Sequence, residues 1–141
     1  MATQVAPPPA ARVNTRTITI VDDDPDTQRL LRITLELEGY GVATAANGLE
    51  LLGPDAHKPD LFLLDVMLSW MDGFDLCRAI KRNPVLKDVP VIFVSGRDSP
   101  HDVRRGLECG AADYFTKPFD IEKLTRRIRE LVDAPAQARS A

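Results

Sequence analysis

The sequence has little of what would point to a disulfide scaffold, a zinc site or a membrane protein. It holds only two cysteines in 141 residues. Cys77 and Cys109 each stand in a predicted helix, with no CxxC pair or Cys/His cluster, so we expect both to be buried as small hydrophobic residues. No apolar run approaches the roughly 20 residues of a membrane span, and the Pro/Ala-rich start lacks the apolar core of a signal peptide. These absences predict a cytoplasmic protein without membrane contact.

The chain also lacks an excess of positive charge. Its formal net charge is -3, so it has no general electrostatic attraction to nucleic acid or to an anionic membrane. No helix-turn-helix segment follows the predicted folded region, which argues against direct DNA binding. The two histidines, His57 and His101, are isolated and are interpreted as exposed polar residues rather than phosphodonors or ligands.

Length and composition predict one compact domain with two tails. A chain of 141 residues with 44% hydrophobic content can build one ordinary core. Residues 1–16 contain three consecutive prolines and no apolar periodicity, so they are expected to be a disordered N-terminal extension. Residues 17–133 form the predicted domain, and residues 134–141 are a tail or the start of a linker.

Between the tails, short apolar runs alternate with helical patterns, which predicts a doubly wound α/β domain with a parallel sheet. Runs 61–64 and 91–94 are apolar throughout, as expected of central strands covered on both faces. Gly53-Pro54 should end the second helix early. The predicted strands are 18–21, 42–45, 61–64, 91–94 and 114–116. The predicted buried helix stripes are Leu30, Ile33 and Leu37; Leu49 to Leu52; Leu76, Cys77 and Ile80; Val103 and Leu107; and Ile121, Leu124, Ile128 and Leu131.

Polar residues follow these strands at the points where each strand ends. Because the carboxyl ends of parallel strands meet at one edge of the sheet, these side chains are expected in one cleft. Two carboxylates about 4 Å apart repel by about 4 kcal/mol at an effective dielectric near 20, so three gathered acids call for a cation. Alone, an acid in this place is as readily a helix cap, as for Asp23 or Asp24 before Pro25. The residues are Asp22, Asp23, Asp65, Ser95 and Lys117.

The chain resembles the receiver domain of two-component response regulators over about residues 16–133. The resemblance implies a flavodoxin-like fold, with five parallel strands in the order 2-1-3-4-5 and five helices. The matching motifs are Val21-Asp22-Asp23-Asp24-Pro25, Leu64-Asp65-Val66-Met67, Met71-Asp72-Gly73, Val94-Ser95 and Tyr114-Phe115-Thr116-Lys117-Pro118-Phe119.

The same resemblance implies a chemistry. Asp65 would accept a phosphoryl group from a phosphohistidine on a histidine kinase or a histidine phosphotransfer protein. Mg2+ would be held by Asp22, Asp23, Asp65 and the backbone carbonyl of Met67, all of them oxygen ligands, which this ion favours. Such a protein is a phosphoacceptor switch with self-dephosphorylation chemistry rather than a conventional enzyme.

Further residues would carry the signal. Ser95 would hydrogen-bond the phosphoryl group, Lys117 would pair with it, and the Lys117-Pro118 bond would be cis. Ser95 would then move inward, and Tyr114 would rotate into the vacated space, changing a docking surface on the fourth helix, fifth strand and fifth helix. The partner would be a downstream output protein or domain, and self-association into a homodimer is left open.

The chain departs from the family pattern four residues after Asp65. Ser69 stands where the family usually has proline, which frees a backbone dihedral beside the site. Trp70 follows it and is interpreted as either a partner contact or a lid.

Three other interpretations stay open. The chain could be a receiver from a longer protein with a C-terminal output module. A phosphohydrolase of the haloacid dehalogenase kind would need a second aspartate where Met67 stands. A flavodoxin would need a Ser/Thr/Gly-rich phosphate loop after the first strand, which the sequence lacks.

Overall fold

The computed structural model describes residues 16–45, 49–52 and 58–133. The predicted extension 1–16, apart from its last residue, the predicted tail 134–141, Gly53-Pro54 and His57 lie outside these ranges. Strands and helices alternate along the described chain. In order they are β1 (Thr17–Val21), α1 (Pro25–Leu37), β2 (Gly41–Ala45), α2 (Leu49–Leu52), β3 (Leu61–Leu64), α3 (Gly73–Arg82), β4 (Val91–Ser95), α4 (Pro100–Glu108), β5 (Asp113–Thr116) and α5 (Ile121–Val132).

The strands form one parallel sheet in the order β2-β1-β3-β4-β5. This confirms the predicted topology. Every residue of β3 and β4 is buried, as the continuous apolar runs predicted for central strands. Val21 lies opposite Leu64, and Leu64 lies opposite Phe93, so β1, β3 and β4 end at nearly the same level.

Two apolar layers cover the sheet, one on each face. Leu31 and Leu35 from α1 pack with Leu124 and Ile128 from α5 on one face. The other face carries the core residues of α3, among them Phe74. Cys77 and Cys109 belong to this second layer as free, buried thiols, which confirms their interpretation as core residues. Burial raises the pKa of the Cys77 thiol to about 11.

Two of the predicted helix stripes are wrong. Leu30, Ile33 and Leu37 are exposed, and the buried residues of α1 are Leu31 and Leu35. Leucines at both sets of positions satisfy a helical period, so the period alone did not identify the face that meets the sheet.

The prediction for α4 also failed in part. Leu107 is exposed and Val103 half-buried, while Gly106 is the buried residue of this helix. A glycine contributes no apolar side chain to a periodicity pattern, so the true contact face of α4 could not be seen.

Each main helix begins just beyond the carboxyl end of a strand with a capping side chain. Asp24 accepts a hydrogen bond from the backbone N–H of Asp26, and Pro25 occupies the first helical position. Asp72, Ser99 and Asp120 cap α3, α4 and α5 in the same way. The loops after β1, β4 and β5 are three or four residues long, whereas the loop between β3 and α3 spans residues 65–72. None of the helices in the described ranges is long and apolar enough to cross a membrane.

Candidate functional site

Three of the predicted site residues meet where β1, β3 and β5 end. Asp22 follows β1, Asp65 follows β3 and Lys117 follows β5. Because Val21 and Leu64 are paired neighbours, the two aspartates extend from adjacent strands. Asp22 is 2% exposed and Asp65 is 8% exposed. Two carboxylates at this depth need a compensating charge.

Lys117 supplies a positive charge to both carboxylates. Its Nζ donates to Oδ2 of Asp22 at 3.0 Å and to Oδ2 of Asp65 at 3.3 Å. Burial alone would lower the pKa of Lys117, but the hydrogen bonds and charges of the two aspartates outweigh it and raise the pKa. The backbone of the lysine is fixed as well, since its N–H donates to the Ser95 carbonyl at 2.8 Å. The Lys117-Pro118 peptide bond is cis, which confirms that prediction.

Asp65 is held by its backbone and by both carboxylate oxygens. Its N–H donates to the Val21 carbonyl at 2.9 Å, and its Oδ1 accepts a hydrogen bond from the Met67 N–H at 3.2 Å. Gly73 lets α3 begin directly against this residue, because a Cβ at position 73 would lie 2.1 Å from the Asp65 carbonyl oxygen. The Met-Asp-Gly motif therefore brings the start of a helix up to Asp65.

Burial in this arrangement disfavours the ionised form of Asp22. Its Oδ1 accepts from the Asp24 N–H at 2.8 Å, and the Gln28 side chain donates to its backbone carbonyl. Desolvation by burial nevertheless raises the pKa of Asp22, against the hydrogen bonds from Asp24 and Lys117 that lower it. Because burial makes the ionised form of Asp22 less favourable than it is in water, a positive charge bound beside the carboxylate would favour that form.

Asp23 does not gather with the other two acids as expected. It is exposed, and its Oδ2 accepts a hydrogen bond from the backbone N–H of Ser69 at 2.6 Å. Within the described ranges, no group of three or more His, Cys, Asp or Glu side chains is arranged to hold a metal ion. Asp22 and Asp65 are joined through Lys117, whereas Asp23 is joined to the loop after β3.

The donor set still fits Mg2+ in kind and in charge. Asp22, Asp23 and Asp65 carry three negative charges against the single charge of Lys117, and carboxylate and carbonyl oxygens are the ligands Mg2+ prefers. Met67, whose carbonyl was predicted as a ligand, lies in the loop after β3, two residues beyond Asp65, and its side chain is exposed.

The two predicted switch residues lie beside the site. Ser95 ends β4 fully buried, and its Oγ accepts from the Arg97 N–H at 3.2 Å. Tyr114 is also buried, and its hydroxyl donates to the Arg97 carbonyl at 2.7 Å. The ring therefore already occupies the inward position that was expected to follow a movement of Ser95.

Sequence reasoning missed the roles of two residues. Ser69 was noted only as a departure from proline, yet its N–H holds Asp23. Gly106 was not noted, yet a Cβ at this position would lie 2.7 Å from the Tyr114 ring. The absence of proline at 69 was the one signal that could have suggested an extra backbone donor.

Comparison with known protein families identifies the family of this chain. The family described as response regulator receiver domain matches residues 18–129. The chain belongs to this family. The match includes Asp22, Asp65, Ser95 and Lys117, so the residues at the strand ends lie within the receiver domain itself.

Curated relatives of this receiver are longer proteins. The chain is 43% identical over 115 residues to the response regulator PleD of Caulobacter vibrioides, covering 81% of this chain and 25% of PleD. It is 39% identical over 116 residues to the DNA-binding dual master transcriptional regulator RpaA of Synechocystis, covering 82% of this chain and 48% of RpaA. The receiver thus spans half or less of the length of these two relatives.

A solved receiver shares the fold with a metal in place. The receiver domain of a sensor histidine kinase from Pseudomonas aeruginosa has a magnesium ion coordinated in its active site cleft. It superimposes with a TM-score of 0.76 at 26% identity, covering 86% of this chain and all of that one.

Proposed function

We propose that Asp65 accepts a phosphoryl group from a phosphohistidine and that this modification switches a docking surface. The observation that carries the proposal is the way Asp65 is held. It is a nearly buried carboxylate at a strand end, with Oδ2 on Lys117 and Oδ1 on the Met67 N–H. A buried carboxylate fixed at both oxygens beside a cationic side chain is a prepared nucleophile.

The transfer needs no separate base, because an aspartate is already ionised at neutral pH. A carboxylate oxygen of Asp65 forms a bond to phosphorus while the phosphorus–nitrogen bond of the donor breaks. The imidazole nitrogen keeps the bonding electrons, and the donor leaves as neutral imidazole that carries a proton on its other ring nitrogen. Asp65 becomes an acyl phosphate, which water can later hydrolyse back to the carboxylate.

The surrounding side chains stabilise the charge on the transferring group. Lys117 Nζ, 3.3 Å from Asp65 Oδ2, is within reach of a phosphoryl oxygen bound there. The Ser95 hydroxyl, at the end of β4, would donate a further hydrogen bond. Asp22, Asp23, Asp65 and the Met67 carbonyl would hold Mg2+, which offsets the negative charge spread over the phosphoryl oxygens.

The switch would act through Ser95 and Tyr114. Both side chains contact the backbone of Arg97, so a movement of Ser95 toward a phosphoryl group would alter the position that Tyr114 occupies. Tyr114 belongs to β5, and its ring faces Gly106 of α4. We place the output contact on the surface formed by α4, β5 and α5. The cognate donor is a histidine kinase or phosphotransfer protein, and the output is a separate protein or a domain of a longer chain.

Intact-mass measurement tests the assignment of Asp65. Incubation with acetyl phosphate and Mg2+ is expected to add one phosphoryl group to the wild type and none to Asp65→Asn. Ser95→Ala is the control, because it removes a phosphoryl contact but leaves the nucleophile, so it should still be labelled. Equal labelling of Asp65→Asn and the wild type would rule out Asp65 as the acceptor.

A further inference from the structure

The loop after β3 and the loop after β1 are joined by one short hydrogen bond. The Ser69 N–H donates to Oδ2 of Asp23 at 2.6 Å. A backbone N–H bonded to a carboxylate is a charge-assisted contact, and such bonds are both shorter and stronger than neutral ones. The bond depends on the backbone, since the Ser69 side chain takes no part in it.

We propose that the Ser69 N–H competes with the cation for Asp23 and so lowers the affinity of this receiver for Mg2+. The inference rests on the proposed function, because it takes Asp23 to be a ligand of the ion. It assigns to Ser69 a positioning role that acts through Asp23, with no contact of its own to the ion or to the phosphoryl group.

The arrangement of the three acids supports competition. Lys117 already holds Asp22 and Asp65 together, at 3.0 and 3.3 Å. Asp23 alone is turned to the neighbouring loop, and the described residues contain no group of three acids, histidines or cysteines placed to hold a metal. We expect that bringing Asp23 into the three-carboxylate set turns its Oδ2 away from the Ser69 N–H. The cation has to replace a charge-assisted hydrogen bond as well as water.

Loss of that bond would also free the loop. Ser69 lies two residues after Met67 and one before Trp70, so the same segment carries a predicted ligand carbonyl and the only tryptophan of the chain. Cation binding at the strand ends would then change the contacts of the segment around Trp70. The tryptophan is half-buried, so its fluorescence can report the change.

The test uses the difference between proline and alanine at position 69. Ser69→Pro removes the N–H, whereas Ser69→Ala removes only the hydroxyl and keeps the N–H. We expect Ser69→Pro to bind Mg2+ about three- to tenfold more tightly than Ser69→Ala, the range of one net hydrogen bond. Ser69→Ala should match the wild type. Mg2+ affinity is measured by calorimetry and by Trp70 fluorescence on the unphosphorylated protein.

A third variant separates loss of the donor from stiffening of the loop. Ser69→Gly keeps the N–H but makes the loop more flexible. If the donor controls affinity, Ser69→Gly will bind Mg2+ like Ser69→Ala. If loop stiffness controls it, the glycine variant will bind more weakly than alanine while proline binds more tightly, and the competition proposal is overturned.

Amide hydrogen exchange on the wild type decides the matter even if the proline variant does not fold. The Ser69 N–H is expected to exchange more slowly in Mg2+-free protein than in Mg2+-saturated protein. The Leu68 N–H, which donates to the Val66 carbonyl at 3.2 Å, serves as the reference and should change less. Protection of Ser69 that stays equal or increases with Mg2+ means that the N–H orients Asp23 for the ion, which contradicts competition.

The outcomes separate this inference from the proposed function. Wild-type protein that binds no Mg2+ at all contradicts the proposed metal site itself. Wild-type protein that binds Mg2+ while Ser69→Pro binds it no more tightly than Ser69→Ala contradicts only the role of Ser69.

Discussion

Asp22 is the residue of this site whose buried charge lowers the stability of the folded protein most clearly. It is 2% exposed and bonded to Lys117, yet burial raises the pKa of its carboxyl group. The folded state therefore holds the ionised carboxylate less favourably than water does. A group whose pKa is raised on folding lowers stability above that pKa, because the unfolded chain releases the proton more readily.

We predict that Asp22→Asn stabilises the Mg2+-free protein at pH 7. The substitution removes one of two buried negative charges while Lys117 keeps its contact with Asp65, and we expect a gain on the order of 1 kcal/mol in the free energy of unfolding. The gain should shrink as the pH falls through the raised pKa of the Asp22 carboxyl group, and it should vanish below the ordinary aspartate pKa of about 3.9 that applies to the unfolded chain. Urea unfolding with a chelator, at several pH values, measures both effects. A loss of stability at pH 7, or a gain independent of pH, would contradict this account.

At the same scale, the sequence predicted which residues lie at the strand ends but not how each side chain is turned. Asp22, Asp65 and Lys117 meet because strand topology places them together. Asp23 points to the loop after β3, where its carboxylate accepts a hydrogen bond from the Ser69 N–H. Nearly every residue has a backbone N–H donor, so no residue type in the sequence could have indicated this contact.

Among the secondary-structure elements, the packing of α4 on β5 depends on a glycine. A Cβ at Gly106 would lie 2.7 Å from Cδ2 of Tyr114 and 3.1 Å from Cδ2 of Phe93. The Tyr114 and Phe93 rings are themselves in contact, with centroids 5.7 Å apart. Because Gly106 has no side chain, the inward Tyr114 ring can pack against the backbone of α4 at this position. The proposed switch depends on this packing.

We predict that Gly106→Ala destabilises the protein by displacing Tyr114. Alanine favours a helix over glycine by about 1 kcal/mol, but overpacking typically costs about 1 to 3 kcal/mol, so we expect a net loss of about 1 kcal/mol. In a Tyr114→Ala background the loss from the same substitution should be smaller, because the 2.7 Å contact with the ring is gone and only the 3.1 Å contact with Phe93 remains to offset the helix preference.

Urea unfolding of the four proteins in this cycle gives the coupling between the two positions. An equal loss from Gly106→Ala with and without the Tyr114 ring would show that the glycine accommodates something else. Solvent exposure of Tyr114 should also rise in Gly106→Ala, and this can be followed by chemical modification of the phenol.

The elements themselves were largely predictable. Five apolar runs predicted five strands, and the two continuous runs identified the central pair. The faces of α1 and α4 were not predictable, for two reasons. In α1 two sets of apolar residues follow the helical period, and only the set with Leu31 and Leu35 faces the sheet. In α4 the contact residue is a glycine, whose contribution is the absence of a side chain.

For the molecule as a whole, the parallel sheet explains how one small domain could hold both the proposed phosphoryl-acceptor site and the proposed output surface. All five strands run in one direction, so every strand-to-helix loop next to the acceptor lies at one edge. Tyr114 on β5 is the described residue that contacts this edge through Arg97 and α4 through Gly106. Tyr114 is therefore one of the side chains that connect the loop after β4 to α4, and the ion pair between Arg97 and Asp102 is another such connection.

The relatives place this domain in longer proteins. The receiver covers 48% of RpaA and 25% of PleD, so in those proteins most of the chain lies outside the part that this receiver matches. The chemistry proposed here belongs to the receiver itself and can be tested without an output module.

The most direct test of the central claim is to locate the phosphoryl group. Borohydride reduces an aspartyl phosphate to homoserine, which marks the acceptor residue covalently. After treatment with acetyl phosphate and Mg2+, then borohydride, peptide mass spectrometry should find homoserine in place of Asp65 and nowhere else. Homoserine at Asp22 or Asp23 with Asp65 unchanged would contradict the account.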